Sequence, residues 1–233
     1  MIVQTPLCVF VEVVMKQLLT PRWLIAELTG FLFAVYSAYN VFIIFRDRSS
    51  MPSEGVLISA VVAAAFAILA AFMWTAGIRG KKHILFMMIR RAAFFVAIIA
   101  LIVLKARLIS RIINYYDVAL FYTYLYDAAY FLTLAGFLIL FIYFAFILKD
   151  LPFYPKAAVG FPTAAIILFS LGLIFEIILF FAYGMLLETS ILRTAVIRPV
   201  FYLGFIGLSL HFLYPLNPLQ TTDRDMPKDA SSE

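Results

Sequence analysis

The sequence predicts an all-α polytopic membrane protein, a bundle of about six transmembrane helices preceded by a short interfacial helix. Of its 233 residues, 65% are hydrophobic and only 13% are charged, whereas soluble domains carry roughly 25% charged residues. A chain this short cannot bury so much apolar surface in a water-soluble core, because its ratio of surface to volume is too high. The apolar runs are also continuous, whereas membrane β-barrel strands alternate with a period of two over about ten residues.

Residues 1–20 are predicted to form a helix on the membrane surface. Their apolar stretch, 7–19, is shorter than the roughly 20 residues that a membrane span requires. Glu12 and Lys16 lie one helical turn apart, as in an interfacial helix. A secretory signal is the alternative, because the stretch has the length of a signal core. No basic segment precedes the stretch and no small-residue cleavage site follows it cleanly, so the interfacial helix is favoured.

The first two predicted helices, 21–45 and 56–78, carry small residues at intervals of about one turn. Such a face lets another helix approach closely, so these faces are predicted as packing surfaces, either within the bundle or toward other membrane subunits. The residues are Ala26, Gly30, Ala34 and Ala38 in the first helix and Ala60, Ala64, Ala67 and Ala71 in the second.

The third predicted helix has two alternative starts. It begins either at Ile84, with Arg90 and Arg91 extending their charges to the membrane surface, or near Arg91, from where it continues toward Ile113. The segment that starts at Lys105 has basic residues on one face and is predicted as an interfacial turn of helix. The fourth predicted helix lies within 118–148, and the tyrosines in its first part are typical of an aromatic belt at a membrane surface.

The last two predicted helices cover about 157–187 and 191–214. Pro199 lies about two turns into the sixth helix and is expected to kink it. Residues 217–233 are polar and charged, so we expect a disordered tail. Residues 21–216 therefore form the predicted six-span transmembrane domain.

An even number of spans places both termini on the same side of the membrane. With cytoplasmic termini, eleven Lys and Arg residues fall on the cytoplasmic side and seven on the other side. Because basic residues are enriched in cytoplasmic loops, we expect a multi-pass protein of the cell membrane with both termini cytoplasmic. The net charge of +5 comes from short loops between apolar runs. It therefore favours contact with anionic lipid headgroups over binding of nucleic acid.

Glu176 is the main pointer to function, because it lies in the middle of the apolar run 169–183. Burying a charged carboxylate in hydrocarbon costs several kcal/mol unless it is paired, protonated or facing water. Arg198 is the predicted partner, because the depths of the two residues differ by roughly 6 Å at 1.5 Å per residue. Asp127 lies at a comparable depth and is a third candidate binding residue. The pair either locks two helices together or forms a site for a solute or a proton.

Common catalytic and cofactor motifs are absent from the sequence. There is no HExxH, GxSxG or P-loop motif, which argues against the common hydrolases and nucleotide-binding proteins. Cys8 is the single cysteine, which excludes an intramolecular disulfide framework and argues against a cysteine-based metal site. His83 and His211 do not form the facing pair that ligates a membrane haem. We therefore expect no catalytic residue, metal or cofactor.

Three classes of function remain open. The first is a transporter, channel or sensor module whose core site includes Glu176, Arg198 and Asp127. The second is a non-catalytic assembly subunit that uses the small-residue faces. The third is an intramembrane enzyme acting on a lipid, with Glu176 as acid or base and arginines binding the headgroup. The first class is slightly favoured, and membrane lipids are expected partners in all three.

Overall fold

The computed structural model describes residues 21–47, 51–75, 84–113, 121–147, 155–183 and 196–213, which are almost entirely helical and include no strand. The all-helical class is therefore confirmed, whereas the predicted interfacial helix and the predicted tail lie outside the described residues. Six α-helices are seen in these ranges: α1 Pro21–Asp47, α2 Ser53–Trp74, α3 Ile84–Ile113, α4 Phe121–Ile142, α5 Pro155–Tyr183 and α6 Arg198–Leu213. A π-helical segment, Tyr143–Ile147, extends α4.

The helix bounds decide between the two predicted starts of the third helix. α3 begins at Ile84 and runs unbroken to Ile113, so the segment from Lys105 is the last part of this helix. No proline or glycine interrupts the α3 sequence, which explains its continuity. Pro199 is the second residue of α6 and lies just after Val196 and Ile197, which are π-helical and continuous with α6. The predicted position of Pro199, two turns into the sixth helix, depends on residues before 196, which lie outside the described residues.

The six helices close into a ring. Each helix packs against its neighbours in the sequence, and α6 packs against α1. Successive helices run in opposite directions, so one end of the bundle holds the C-terminal ends of α1, α3 and α5 and the N-terminal ends of α2, α4 and α6. We call this end, which contains Asp47 and Ser53, the upper end.

Four of the described helices are long and apolar enough to cross a membrane. α3 has charged residues on both sides of its apolar stretch, and α6 has 16 residues. At 1.5 Å per residue α6 is about 24 Å long, less than the roughly 30 Å of hydrocarbon in a bilayer. The four segments are Trp23–Asp47, Ser53–Trp74, Asp127–Phe146 and Val159–Phe181. These helices identify a membrane protein.

Phenylalanine rings fill the centre of the bundle. Phe205 of α6 lies at the middle of these rings. Its ring centroid is 4.8–5.8 Å from the ring centroids of four phenylalanines, one from each of four other helices. Such ring pairs contribute about 0.5–1.5 kcal/mol each beyond their buried area. All five rings are fully buried: Phe33, Phe66, Phe137, Phe169 and Phe205. We call them the aromatic layer.

The two predicted small-residue faces have different surroundings. On α1, Ala26 and Gly30 are buried, and an ideal Cβ on Gly30 would lie 2.5 Å from Trp74 Nε1 of α2. This part of α1 is therefore a packing face within the bundle. On α2, the predicted small residues are all exposed on the outer surface instead: Ala60, Ala64, Ala67 and Ala71.

Candidate functional site

Glu176 lies on the buried face of α5, and helix packing determines which residue it faces. Phe169, Gly172 and Glu176 are buried at the three- and four-residue spacing of one helix face. At Gly172, α5 approaches α6 so closely that an ideal Cβ would lie 2.6 Å from Tyr202 Cε1. Because the two helices are antiparallel, one turn forward along α5 faces one turn back along α6. This register places Glu176 opposite Arg198.

The expected ion pair between these two residues is present. Arg198 Nη1 donates a hydrogen bond to Glu176 Oε2 at 2.5 Å. The Glu176 side chain is 8% exposed and the Arg198 side chain 24% exposed. The Arg198 guanidinium compensates the charge of the buried Glu176 carboxylate and donates a hydrogen bond to it. A carboxylate that is buried away from water needs both.

A cavity of about 420 Å³ lies beside this pair at the upper end of the bundle. We call it the upper cavity. Its volume falls within the range of about 300–1,000 Å³ that is typical of small-molecule sites. All six helices contribute to its wall. Its aromatic and polar lining residues are Tyr36, Tyr39, Phe66, Tyr130, Phe137, Phe201, Tyr202, Asn40, Ser59, Lys105, Arg107, Glu176 and Arg198.

The aromatic layer forms the floor of the upper cavity. Phe66 and Phe137 line the cavity, and both rings pack against Phe205 below it. The hydroxyl groups of Tyr202 and Thr133 lie 3.2 Å apart and add a buried hydrogen bond between α6 and α4. The described residues therefore form a pocket that ends at a packed layer.

Lys105 is a further charged group in the cavity wall, and the sequence did not predict it as a site residue. Its Nζ atom lies 3.8 Å from the centroid of the Tyr130 ring and 5.5 Å from that of Phe201. Lys105 is close enough to Glu176 and Arg198 to interact with both electrostatically. Among the described residues, however, no carboxylate lies within the 4 Å of an ion pair with Lys105.

A sequence signal for Lys105 did exist. Phe94, Ile98 and Leu101 are the buried face of α3, and Lys105 follows Leu101 at the next four-residue step. A lysine at the next position of an apolar helical face points toward the core or toward a cavity within it. The interpretation of 105–117 as an interfacial segment did not use this continuity.

Asp127 is not part of the upper cavity wall. Its side chain is buried, and neither carboxylate oxygen has a hydrogen-bond partner among the described residues. Asp127 precedes Thr133 by six residues, so it lies roughly 120° around the α4 axis from the hydroxyl that faces Tyr202. Similar depth in the membrane was therefore not sufficient to bring Asp127 to the ion pair.

A second ion pair lies at the rim of the upper cavity. Arg107 Nη2 and Glu54 Oε1 are 2.7 Å apart, with side chains 57% and 42% exposed. The pair links α3 to the first turn of α2. Because both side chains are well exposed, this contact contributes at most about 1 kcal/mol to stability.

The described residues contain no group of three or more His, Cys, Asp or Glu side chains that could hold a metal ion. Comparison of the chain with protein families, with curated proteins and with solved structures found no match.

Proposed function

We propose that the protein binds a small solute in the upper cavity, as the substrate site of a transporter or the ligand site of a membrane sensor. Glu176 and Arg198 are the proposed binding residues. The observation that supports this role is that their ion pair is part of the cavity wall. A pair that only joins α5 to α6 needs no adjoining cavity, whereas a binding site requires one.

The proposed membrane arrangement has six spans. α3 and α6 pack between the four apolar helices in the same closed ring, so a bilayer that surrounds those four also surrounds these two. The distribution of Lys and Arg favours a cell membrane protein with both termini in the cytoplasm. In this arrangement the upper cavity faces away from the cytoplasm.

The aromatic floor favours a binding or transport cycle over an open channel. A solute in the upper cavity is separated from the lower half of the bundle by Phe66, Phe137 and Phe205, which are fully buried. Passage requires these rings to move, as in a transporter that alternates between two states. In a sensor, the same rings transmit occupancy of the cavity to the packing of α6. Asp127, outside the cavity wall, is not part of the proposed site.

Glu176→Gln tests the proposed solute site. Purified protein is screened by thermal unfolding against small organic acids, amines and neutral solutes. We expect compounds that raise the melting temperature of the wild type, and we expect Glu176→Gln to change the rise, because the amide lacks the negative charge of the carboxylate and does not hold Arg198 as the carboxylate does. Glu27→Gln is the matched control, since Glu27 belongs to α1 and does not line the cavity. A rise that is equal in wild type and Glu176→Gln contradicts the proposal, as does the absence of any stabilising compound.

A role as an assembly subunit is the second candidate, and one observation favours it. The small-residue face of α2 formed by Ala60, Ala64, Ala67 and Ala71 is exposed, so another membrane helix can approach it closely. Ala64→Leu fills this face and is expected to release a bound subunit. A wild-type protein that is extracted in mild detergent as a monodisperse monomer, with no co-purifying chain, contradicts this role.

A further inference from the structure

We propose that the upper cavity selects organic monoanions and that Lys105 binds their charged group, an inference that rests on the proposed solute site. The first step is the charge balance of the part of the wall that the structure describes, which holds Lys105, Arg107, Arg198 and Glu176. Arg198 is paired with Glu176 inside the cavity, and Arg107 is paired with a glutamate at the rim. Of these four charged side chains, Lys105 is therefore the one that belongs to neither ion pair.

The described residues around Lys105 supply electrostatic attraction but accept no hydrogen bond from it. The faces of the Tyr130 and Phe201 rings attract the ammonium group, and such contacts are typically worth about 0.5–2 kcal/mol. No described residue accepts a hydrogen bond from the three N–H donors of this group. A carboxylate or phosphate oxygen from a ligand supplies both the negative charge and the acceptors.

The rest of the wall defines the uncharged part of the ligand. Tyr36, Tyr39 and Phe137 line the cavity in addition to the two rings beside Lys105. An aromatic or aliphatic skeleton packs against these rings, whereas a cationic ligand meets repulsion from Lys105 and Arg198. The ligand class is therefore a small amphiphile with a single negative charge and an apolar skeleton. Either a free organic acid or an anionic lipid has this chemistry.

Three probes with one carbon skeleton test the selectivity: 4-phenylbutyrate, 4-phenylbutanamide and 4-phenylbutylamine. Their affinities are measured by isothermal titration on the full chain in phosphatidylcholine nanodiscs. We expect wild type to bind the butyrate at least about tenfold more tightly than the amide, and the amine more weakly than the amide. In Lys105→Gln, the affinity for the butyrate is expected to fall to that of the amide. Lys105→Arg is expected to retain the preference, because it keeps the charge.

The affinity for the neutral amide shows whether a variant still has an intact cavity. If Lys105→Gln binds the amide as wild type does, its cavity is intact and a loss of butyrate affinity reports the charge alone. If Lys105→Gln does not fold, the wild-type preference and its retention in Lys105→Arg still decide the question. Equal binding of butyrate and amide by wild type refutes the inference, as does a preference that survives in Lys105→Gln.

The same experiment separates this inference from the proposed function. A neutral or cationic probe that binds wild type at least as tightly as the butyrate does, and loses affinity in Glu176→Gln, supports the solute site but refutes anion selectivity. Replacing part of the phosphatidylcholine by phosphatidylglycerol distinguishes the two ligand sources. A weaker apparent affinity for the butyrate in these nanodiscs identifies an anionic lipid as the competitor, whereas an unchanged affinity identifies a free organic acid.

Discussion

Replacing Arg198 by methionine leaves the Glu176 carboxylate beside an uncharged side chain. Removing one partner of a buried ion pair typically costs about 3–5 kcal/mol, because the remaining charge is no longer compensated. The Arg198 side chain is 24% exposed and Lys105 interacts with Glu176. Water and the lysine therefore offset part of the loss, and we expect destabilisation of about 2–3 kcal/mol. Glu176→Gln is expected to cost less, about 1–2 kcal/mol, because the remaining guanidinium reaches the cavity.

The double variant Glu176→Gln, Arg198→Met separates the ion pair from other effects of the two substitutions. Neither charge remains, so we expect the double variant to lose less than about 1 kcal/mol of unfolding free energy relative to wild type. This loss is smaller than the sum of the two single losses by at least about 2 kcal/mol, which is the coupling energy of the pair. The assay is unfolding by titration of sodium dodecyl sulfate into mixed micelles, followed by circular dichroism. A coupling energy below about 0.5 kcal/mol, the value for independent sites, refutes the argument that the two charges stabilise each other.

Two further substitutions test the packing that positions the pair. Gly172→Val inserts a side chain against Tyr202 and is expected to destabilise the protein by about 1–3 kcal/mol in the same titration. Gly160→Val is its control, because a Cβ there meets nothing within 4 Å, and equal effects at both glycines contradict the proposed register. Phe205→Ala removes the central ring of the aromatic layer and is expected to cost about 3–5 kcal/mol. Phe181→Ala, at a position 79% exposed, is expected to have little effect, and a similar loss in both variants contradicts the assignment of the core.

Much of the fold was predictable because the lipid environment imposes a simple rule. Backbone polar groups in hydrocarbon must be paired within the segment, so long apolar runs become helices. α1, α2 and α5 begin and end within four residues of the predicted bounds, and Pro21 and Pro155 are the first residues of α1 and α5. α3 was harder, because its charged residues at both ends resemble loops when the sequence is read alone.

The candidate site was predictable only where two consecutive helices determine it. Glu176 and Arg198 lie on α5 and α6, so their depths below a shared connection predicted the contact. The cavity itself requires the arrangement of all six helices, which no local pattern contains. Asp127 illustrates the difference. Its predicted depth in the membrane is similar to that of Glu176, but contact also depends on the rotation of its side chain about the α4 axis. Lys105 and the tyrosines beside it became site residues only when α3 was placed in the ring.

The central claim is that the Glu176–Arg198 pair faces a water-accessible cavity. Ser59 lines that cavity, and Ala70, further along the same helix, is 2% exposed. Each is replaced by cysteine in a Cys8→Ser background and treated with membrane-impermeant sulfonatoethyl methanethiosulfonate in vesicles of both orientations. Mass spectrometry is expected to show modification of Ser59→Cys from the non-cytoplasmic side and none of Ala70→Cys. Absence of modification at Ser59→Cys from either side contradicts the claim.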